Sequence, residues 1–389
     1  MSDPYKTLQT RLVHAGTPHP RVRGAVITPI FQSANYEQAD PESYAAVTYA
    51  RLNNTPNHLA LGRKIAAVEG TEAATVAASG MAAITAALLS ILGSGDHLLV
   101  QQTVYGGTQT FLSTDAKRLG IDHTPIDPRK PDTWEAALTE RTRAIYVEGL
   151  SNPLLGVADL PAILHFAQRH DLVSFIDNTF LSPILFRPAE LGFDLVLHSA
   201  TKYLNGHSDV VAGAAAGSAA RIDAVIHQLN HFGGSLDPHA CFLLERGMKT
   251  LGLRMAYQTR AADRVARALQ AHPAVTQVIY PGLPDHPDHA LAAALFDGFG
   301  AMISLRLRDG DLGSRFVDAV RIPVHAASLG GVESLVVQPA RSTHLGVPAA
   351  AREAGGITDD LVRISVGIED TDELIADLLR ALDAATSMS

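Results

Sequence analysis

The sequence predicts an α/β protein: a large domain built on a mostly parallel sheet, followed by a smaller α+β domain. Two observations predict the large domain. Short apolar runs between residues 71 and 218 are continuous rather than alternating, as expected for strands buried on both faces of a sheet. Helical segments lie between several of these runs, and this βα repetition is typical of a sheet covered by helices on both sides.

The elements of the large domain follow in chain order. Residues 71–80 (TEAATVAASG) predict a strand and a turn, and residues 81–92 (MAAITAALLSIL) predict an apolar helix directly after them. Another helix is predicted over residues 160–170, where apolar residues recur at helical spacing. Each remaining apolar run predicts a strand: 97–100, 144–150, 172–178, 195–200 and 210–218.

The pattern changes after about residue 250, where the smaller domain is expected. Residues 301–308 (AMISLRLR) alternate like a half-exposed strand, and residues 361–367 (LVRISVG) predict another strand. Residues 370–385 predict an amphipathic helix, because Asp370 and Glu373 have capping-box spacing and leucines share one face.

We therefore divide the chain into three parts. Residues 1–60 are polar, weakly periodic and interrupted by Pro and Gly, which is typical of an arm or small N-terminal segment. Residues 61–250 form the predicted α/β domain, and residues 251–389 form the predicted α+β domain.

Composition and charge exclude several classes of function. The 389 residues are 47% hydrophobic, carry a net charge of −9 and have scattered basic residues, which argues against nucleic acid as a partner. The single cysteine, Cys241, excludes an intramolecular disulfide and fits a reducing compartment. No secretory signal and no membrane-spanning apolar run is visible, so we expect a soluble cytoplasmic protein with no membrane partner.

Chemistry-bearing residues follow several predicted strands at the point where each strand ends. In doubly wound sheets, ligands bind in the crevice outside the carboxyl ends of the strands. The segments at these ends are Ser79 to Met81, Glu148 to Pro153, Asp177-Asn178 and Ser199 to Lys202. Together they outline a site for a small molecule.

The turn at Ser79-Gly80-Met81 leads into the predicted apolar helix. Free N–H groups and the helix dipole make such a helix start a candidate anion site, although an ordinary tight turn has the same sequence. The chain has neither a GxxxxGK[ST] loop nor a GxGxxG fingerprint. A phosphate ligand here would therefore not be a conventional nucleoside triphosphate or NAD.

Asp177 and Lys202 add a buried acid and a candidate nucleophile. A carboxylate at the end of a buried strand needs a cationic partner, which is either a structural group of the protein or the protonated ring nitrogen of a ligand. A lysine in an enclosed site is able to form a Schiff base. A phosphate cradle, a buried Asp and such a lysine are the three groups that pyridoxal 5′-phosphate (PLP) requires, and Ser199 and Thr201 supply hydroxyls.

At this point the chain resembles a known family. SATKYLNGHSDVVAG, with FIDNTFLSPILFRPAELGFDLVLHSATK before it, is similar to the transsulfuration (Cys/Met metabolism) family of PLP-dependent enzymes, of the cystathionine β-lyase, γ-lyase or γ-synthase type. Five more stretches match in order: ASGMAAI (78–84), TVYGGT (103–108), SNPLLGVADL (151–160), SLGGVESL (328–335) and RISVGIED (363–370). The resemblance covers nearly the whole chain.

The resemblance implies a PLP enzyme of fold type I with a seven-stranded sheet, assembled as a homotetramer of two close dimers that share active sites. It implies that Lys202 is the Schiff-base lysine and proton shuttle, and that Tyr105 stacks on the ring and assists the leaving group. The implied cofactor contacts are Tyr49, Arg51, Gly80, Met81, Tyr105, Asp177, Ser199, Thr201 and Lys202. Asn152, Ser328 and Arg363 would bind the carboxylate of an amino-acid substrate. Tyr49 and Arg51 would reach the phosphate in the neighbouring subunit.

Three positions depart from patterns common in the family. Thr55-Pro56 stands in reversed order after YARLNN, Ala327 replaces a Glu or Tyr before the SLGG serine, and Gly107 replaces the Cys of methionine γ-lyases. We expect a carbon–sulfur lyase that converts cystathionine or a related sulfur amino acid to a thiol, ammonia and a 2-oxo acid. The alternatives are a γ-replacement enzyme (cystathionine γ-synthase or O-acylhomoserine sulfhydrylase), a methionine γ-lyase, and a catalytically silent binding protein.

Histidine and cysteine give no further site. The chain has 17 histidines, but pairs such as His286/His289 and His165/His170 lack zinc-ligand spacing, so we expect no metal. Cys241 is expected to be a small buried residue rather than a nucleophile.

Overall fold

A seven-stranded sheet organises the chain up to residue 217 in the computed structural model, which describes residues 4–38, 40, 42–43, 46–345 and 349–387. Its strands are β1 (Ala73–Ala77), β2 (His97–Gln101), β3 (Asp122–Ile126), β4 (Thr142–Glu148), β5 (Val173–Asp177), β6 (Leu195–His198) and β7 (Gly213–Gly217). The strand order is β1-β7-β6-β5-β4-β2-β3. All pairs are parallel except those of β7, which is antiparallel to both neighbours. The predicted mostly parallel sheet is confirmed.

Helices cover both faces of this sheet, as the continuous apolar runs predict. Successive residues of a strand point to opposite faces. In β6, Leu195 and Leu197 pack with the helices over residues 80–89 and 219–232, whereas Val196 belongs to the core on the other face with the helices over residues 56–69 and 160–169. The helices of this part are α1 (Leu8–His14), α2 (Pro56–Glu69), α3 (Gly80–Leu89), α4 (Gly106–Thr110), α5 (Leu160–Arg169), α6 (Ser182–Leu185), α7 (Pro188–Leu191), α8 (Ala219–Phe232) and α9 (Pro238–Met248).

A second sheet of five strands organises the C-terminal part. Its strands are β8 (Val275–Ile279), β9 (Met302–Leu307), β10 (Val324–His325), β11 (Leu335–Val337) and β12 (Leu361–Ser365). The strand order is β10-β11-β12-β9-β8. The helices are α10 (Leu251–Gln270), α11 (His289–Leu295), α12 (Gly310–Ala319), α13 (Ala349–Ala354) and α14 (Thr371–Ser387). The carboxylate of Asp370 accepts from the N–H of Glu373 at 3.0 Å, so the predicted cap of the last helix is present.

The prediction of a half-exposed strand over residues 301–308 is wrong in its exposure. β9 lies between β12 and β8, and its residues are buried apart from the half-buried Arg306. The polar side chains of the alternating pattern face protein rather than water. The hydroxyl of Ser304 donates to the Pro153 carbonyl at 2.6 Å, which ties this sheet to the loop after β4.

No helix in the described part of the chain is long and apolar enough to cross a membrane.

Candidate active site

One cleft collects nearly all of the site residues that the sequence predicts. It is a cavity of about 500 Å³ at the carboxyl ends of the parallel strands, closed on one side by residues 327–329 and by β12. Its lining includes ten of the predicted residues: Gly80, Met81, Tyr105, Asn152, Asp177, Ser199, Thr201, Lys202, Ser328 and Arg363. Tyr49 and Arg51 are not among the lining residues.

The start of α3 forms one end of the cleft. The hydroxyl of Ser79 caps the helix by accepting from the N–H of Ala82 at 3.0 Å, and the first-turn N–H groups of any helix lack intrahelical acceptors. Ser199 packs directly on Gly80, where an added Cβ would lie 2.8 Å from the Ser199 Cβ. The backbone thus approaches as closely as only glycine permits, and this end suits a phosphate.

Thr201 lies on the same side of the cleft, but its hydroxyl has backbone partners. It donates to the Ala212 carbonyl at 3.1 Å and accepts from the Ala212 N–H at 2.9 Å. The hydroxyl therefore holds the turn after β6 against the segment that leads into β7.

Asp177 ends β5 and is 9% exposed. Its Oδ1 accepts from the N–H of Thr179 at 2.9 Å, and its Oδ2 lies 3.5 Å from the hydroxyl of Tyr146. Burial raises the pKa of Asp177, against the opposing effects of Thr179 and the nearby His198. A carboxylate in this position gains from a cationic partner such as a pyridinium.

Lys202 follows β6 in a tight turn, and its amine donates to the Ser328 hydroxyl at 2.6 Å. Burial, and secondarily the charge of Arg363, lower the pKa of Lys202 from 10.5 to about 8. The amine is therefore partly neutral near physiological pH, and a neutral amine is the form that acts as nucleophile or base.

Arg363 lies in β12 and is 2% exposed. Its guanidinium donates to the side-chain oxygen of Asn152 at 2.8 Å and to the Ser328 carbonyl at 3.0 Å. Burial lowers its pKa to about 10, so it remains a cation at neutral pH. The predicted substrate residues Asn152, Ser328 and Arg363 are thus brought into one hydrogen-bonded group beside Lys202.

Tyr49 and Arg51 lie outside the cleft formed by their own chain. Tyr49 is exposed, the guanidinium of Arg51 lies 5.7 Å from the Tyr49 ring centroid, and it donates to the Asn230 carbonyl at 2.8 Å. Tyr49 directly precedes the short 3₁₀ turn Ala50–Leu52 on the surface, and Arg51 lies within it.

The ring of Tyr105 stands at the mouth of the cleft, directly before α4. A Cβ added at Gly107 would lie 2.6 Å from Cε1 of this ring and 3.0 Å from the sulfur of Met81. Gly107 therefore leaves the space that the tyrosine ring occupies.

Sequence reasoning does not assign a role to Glu148, Thr179 or Thr343, which also line the cleft. Glu148 falls in a strand-end segment that the sequence does mark. What singles it out is its position in the sheet, where it is paired with Asp177 across β4 and β5. Cys241, in contrast, is buried as expected.

The covered sheet and the chemistry grouped at its strand ends define a class: PLP-dependent enzymes of fold type I. The family model for the Cys/Met metabolism PLP-dependent enzymes matches residues 9–383, and the chain belongs to that family. It is therefore a transsulfuration-type enzyme.

Relatives of more than one activity are similar to the chain. It is 41% identical to a cystathionine beta-lyase of Bacillus subtilis, over 98% of both chains. It is 42% identical to a cystathionine gamma-synthase of Mycobacterium leprae, over 97% of both. A crystal structure of cystathionine gamma-lyase from Lactobacillus plantarum complexed with L-serine superposes with a TM-score of 0.94 at 40% identity, covering 98% of this chain and 100% of the other.

Proposed function

We propose that the protein is a PLP-dependent carbon–sulfur lyase for cystathionine or a related sulfur amino acid. The proposal rests on one observation: a basic amine and an anion-binding guanidinium contact the same serine. The Lys202 amine contacts the Ser328 hydroxyl at 2.6 Å, while Arg363 contacts the carbonyl of the same serine at 3.0 Å. An amino acid whose carboxylate binds Arg363 presents its Cα near the amine.

The lining of the cleft fits PLP. Gly80, Met81 and Ser199 would hold the phosphate at the start of α3, where the free N–H groups of the helix attract an anion. Asp177 would pair with the ring nitrogen, and Thr201 holds the turn that carries Lys202. When bound, PLP supplies a ring that takes up the electron pair left at the substrate carbon.

The side chains of this protein perform the remaining steps. Arg363 and Asn152 bind the substrate carboxylate, because a guanidinium matches a carboxylate through two parallel bonds. Lys202 removes the Cα proton and returns protons to the product carbons, and Tyr105 assists departure of the sulfur. The carbon–sulfur bond breaks with its electrons on sulfur, which leaves as a thiol. One water is consumed in releasing ammonia and the 2-oxo acid.

The test is a panel of substrates given to the purified protein with PLP. Cystathionine, cysteine and methionine are incubated singly, and thiol, ammonia and 2-oxo acid are quantified. Equal yields of thiol (sulfide in the case of cysteine), ammonia and 2-oxo acid from cystathionine or cysteine support the proposal. The proposal is wrong if no sulfur amino acid yields these products.

A γ-replacement enzyme is the second candidate, because the gamma-synthase of Mycobacterium leprae is as similar to this chain as the beta-lyase of Bacillus subtilis. Its assay supplies an O-acylated homoserine with cysteine or sulfide. Thiol-dependent loss of the acyl group without ammonia would favour replacement over elimination. Methionine as the preferred panel substrate would instead indicate a methionine γ-lyase.

Borohydride reduction tests the covalent link to the cofactor separately from the reaction. Peptide mapping is expected to find the reduced cofactor on Lys202. Lys64 is an internal control, because it is a buried lysine whose amine donates to the Leu12 carbonyl at 3.0 Å and does not line the cleft. Label on Lys64 or its absence from Lys202 would contradict the assignment.

The proposed assembly is a homotetramer of two close dimers with shared sites. Its support is the position of Tyr49 and Arg51 on the surface, away from the cleft of their own chain. Light scattering of the purified protein is expected to give four times the 41.3 kDa chain mass.

A further inference from the structure

Glu148 is a buried carboxyl at the end of β4 for which the reaction above has no use. It is 4% exposed and lines the cleft. β4 and β5 are parallel, and Glu148 is the register partner of Asp177. Paired residues of adjacent strands project from the same face of a sheet, so the two carboxyl groups are neighbours.

The side chain of Glu148 reaches away from its strand to the segment before α4. Its Oε1 accepts from the backbone N–H of Tyr105 at 2.5 Å. The N–H of Glu148 itself donates to the side-chain oxygen of Gln101 at 3.1 Å. Gln101 ends β2, so Glu148 links the ends of β2 and β4 to the residue that carries the aromatic ring.

Within the described part of the chain, the backbone N–H of Tyr105 has no second hydrogen-bond acceptor of comparable length. Its carbonyl accepts from the Gln109 N–H at 3.0 Å, which is the first bond of α4. Its ring is only half covered, with 42% of the residue exposed. The position of the ring therefore depends on the backbone at residue 105.

We infer that Glu148 is a positioning residue that clamps the backbone N–H of Tyr105 and thereby fixes the tyrosine ring over the cofactor cleft beside Asp177. The inference rests on the proposed function, because the ring has a role only if PLP binds. It deepens that function by assigning a residue that acts through Tyr105 rather than on the substrate.

A proton on one of the two neighbouring carboxyls relieves their mutual repulsion. Burial, and then the charge of Asp177, raise the pKa of Glu148 well above its ordinary range, against the N–H groups of Tyr105 and Asn152. The facing hydroxyl of Tyr146 is uncharged, because burial raises its pKa. Burial raises the pKa of Asp177 as well, against the Thr179 N–H. We therefore treat Glu148 as the protonated member of the pair, whose Oε1 still accepts from the Tyr105 N–H.

If Glu148 acts as an uncharged hydrogen-bond acceptor for Tyr105, three variants should differ in kcat in a defined order. E148Q keeps the length and an accepting oxygen, E148D keeps the acid but shortens the reach, and E148A removes the acceptor. We expect E148A and E148D to lower kcat about tenfold, the loss of one buried hydrogen bond. E148Q is expected to recover most of that loss.

The experiment measures kcat, KM and the PLP dissociation constant of the holoenzyme variants. In a double-mutant cycle, the E148A effect should shrink in a Y105A background, because no ring is then left to position. E245Q is the matched control, because Glu245 is equally buried at 4% exposure and does not line the cleft. The control is expected to leave kcat and its ratio to KM as in the wild type.

Three results would overturn the inference. The first is a loss in E148Q as large as in E148D, which would indicate a charged rather than a neutral role. The second is wild-type kcat in E148D, and the third is full additivity of E148A with Y105A. If E148A does not fold, E148D and E148Q still decide. Failure of the wild-type protein to bind PLP would instead contradict the proposed function.

Discussion

The amine of Lys202 and the hydroxyl of Ser328 are joined by a hydrogen bond of 2.6 Å that crosses from the large sheet to the segment before β11. Ser328 has a φ of +106°, a conformation that residues with a side chain rarely adopt. Such conformations persist only where surrounding contacts hold them, and they concentrate at functional sites. Here the contacts are Lys202 and Arg363.

S328A is expected to slow the reaction without abolishing cofactor binding. The variant removes the acceptor that orients the Lys202 amine, and the loss of one such bond is worth about 1–1.5 kcal/mol, or roughly tenfold in kcat. The Ser328 carbonyl still accepts from Arg363, so KM should change much less. Steady-state kinetics test this. A KM effect larger than the kcat effect would contradict a role in positioning the amine.

The rate of PLP capture by the apoprotein is expected to depend on pH through Lys202. Its pKa is lowered to about 8, so the neutral amine predominates above that pH rather than above 10.5. The capture rate should therefore rise with pH and level off just above 8. Stopped-flow absorbance measures it. A rate that continues to rise towards 10.5 would mean that burial does not perturb the amine.

4′-Deoxypyridoxine phosphate is the control for this pH dependence. It retains the phosphate and the ring but has no aldehyde to react with an amine. Its association should lack the step near pH 8. A matching step in the analogue would assign the titration to a group other than Lys202.

Most of the candidate site can be predicted from the residues that follow each strand. This prediction requires only that the strands run in the same direction, and not that their order or register is known. β1, β4, β5 and β6 all end at the same edge of the sheet, so Gly80, Asp177 and Lys202 must converge. The neighbourhood of Glu148 and Asp177 could not be predicted in this way. It requires the knowledge that β4 pairs with β5 and in which register.

The elements that the sequence analysis missed have weak apolar signals. β3 lies at the edge of its sheet and contains Pro125, which a central strand would exclude. β8 is also an edge strand and exposes Thr276 and Gln277. The antiparallel direction of β7 could not be predicted from the sequence either, because a run of small apolar residues has the same pattern in a parallel and in an antiparallel strand.

Mixing two inactive variants is expected to restore activity if sites are shared between subunits. R51A removes the arginine that lies outside its own cleft, and K202A removes the amine within it. When equal amounts of the two variants are unfolded and refolded together, half of the dimers contain one chain of each variant. Each of these mixed dimers has one complete site. Activity should therefore recover to about a quarter of the wild-type value. No recovery would mean that Arg51 serves the cleft of its own chain or none.

G107A is expected to lower kcat without lowering the melting temperature. Gly107 lies within α4, where alanine is favoured over glycine by about 1 kcal/mol, so the melting temperature should not fall. The new methyl would lie 2.6 Å from Cε1 of Tyr105 and 3.0 Å from the Met81 sulfur, and the ring must move away. Because the ring faces the cofactor cleft, kcat should fall while the fold is retained.

G93A provides the matched change for this comparison. A methyl at Gly93 meets nothing nearer than the Asp96 carboxylate at 3.7 Å, so neither the melting temperature nor kcat should change appreciably. Thermal melts and kinetics of both variants are compared with the wild type. A G107A protein with wild-type kcat would show that the ring adapts without loss and that its position before α4 is not critical. A loss of kcat confined to G107A would link catalysis to the space that glycine leaves for Tyr105.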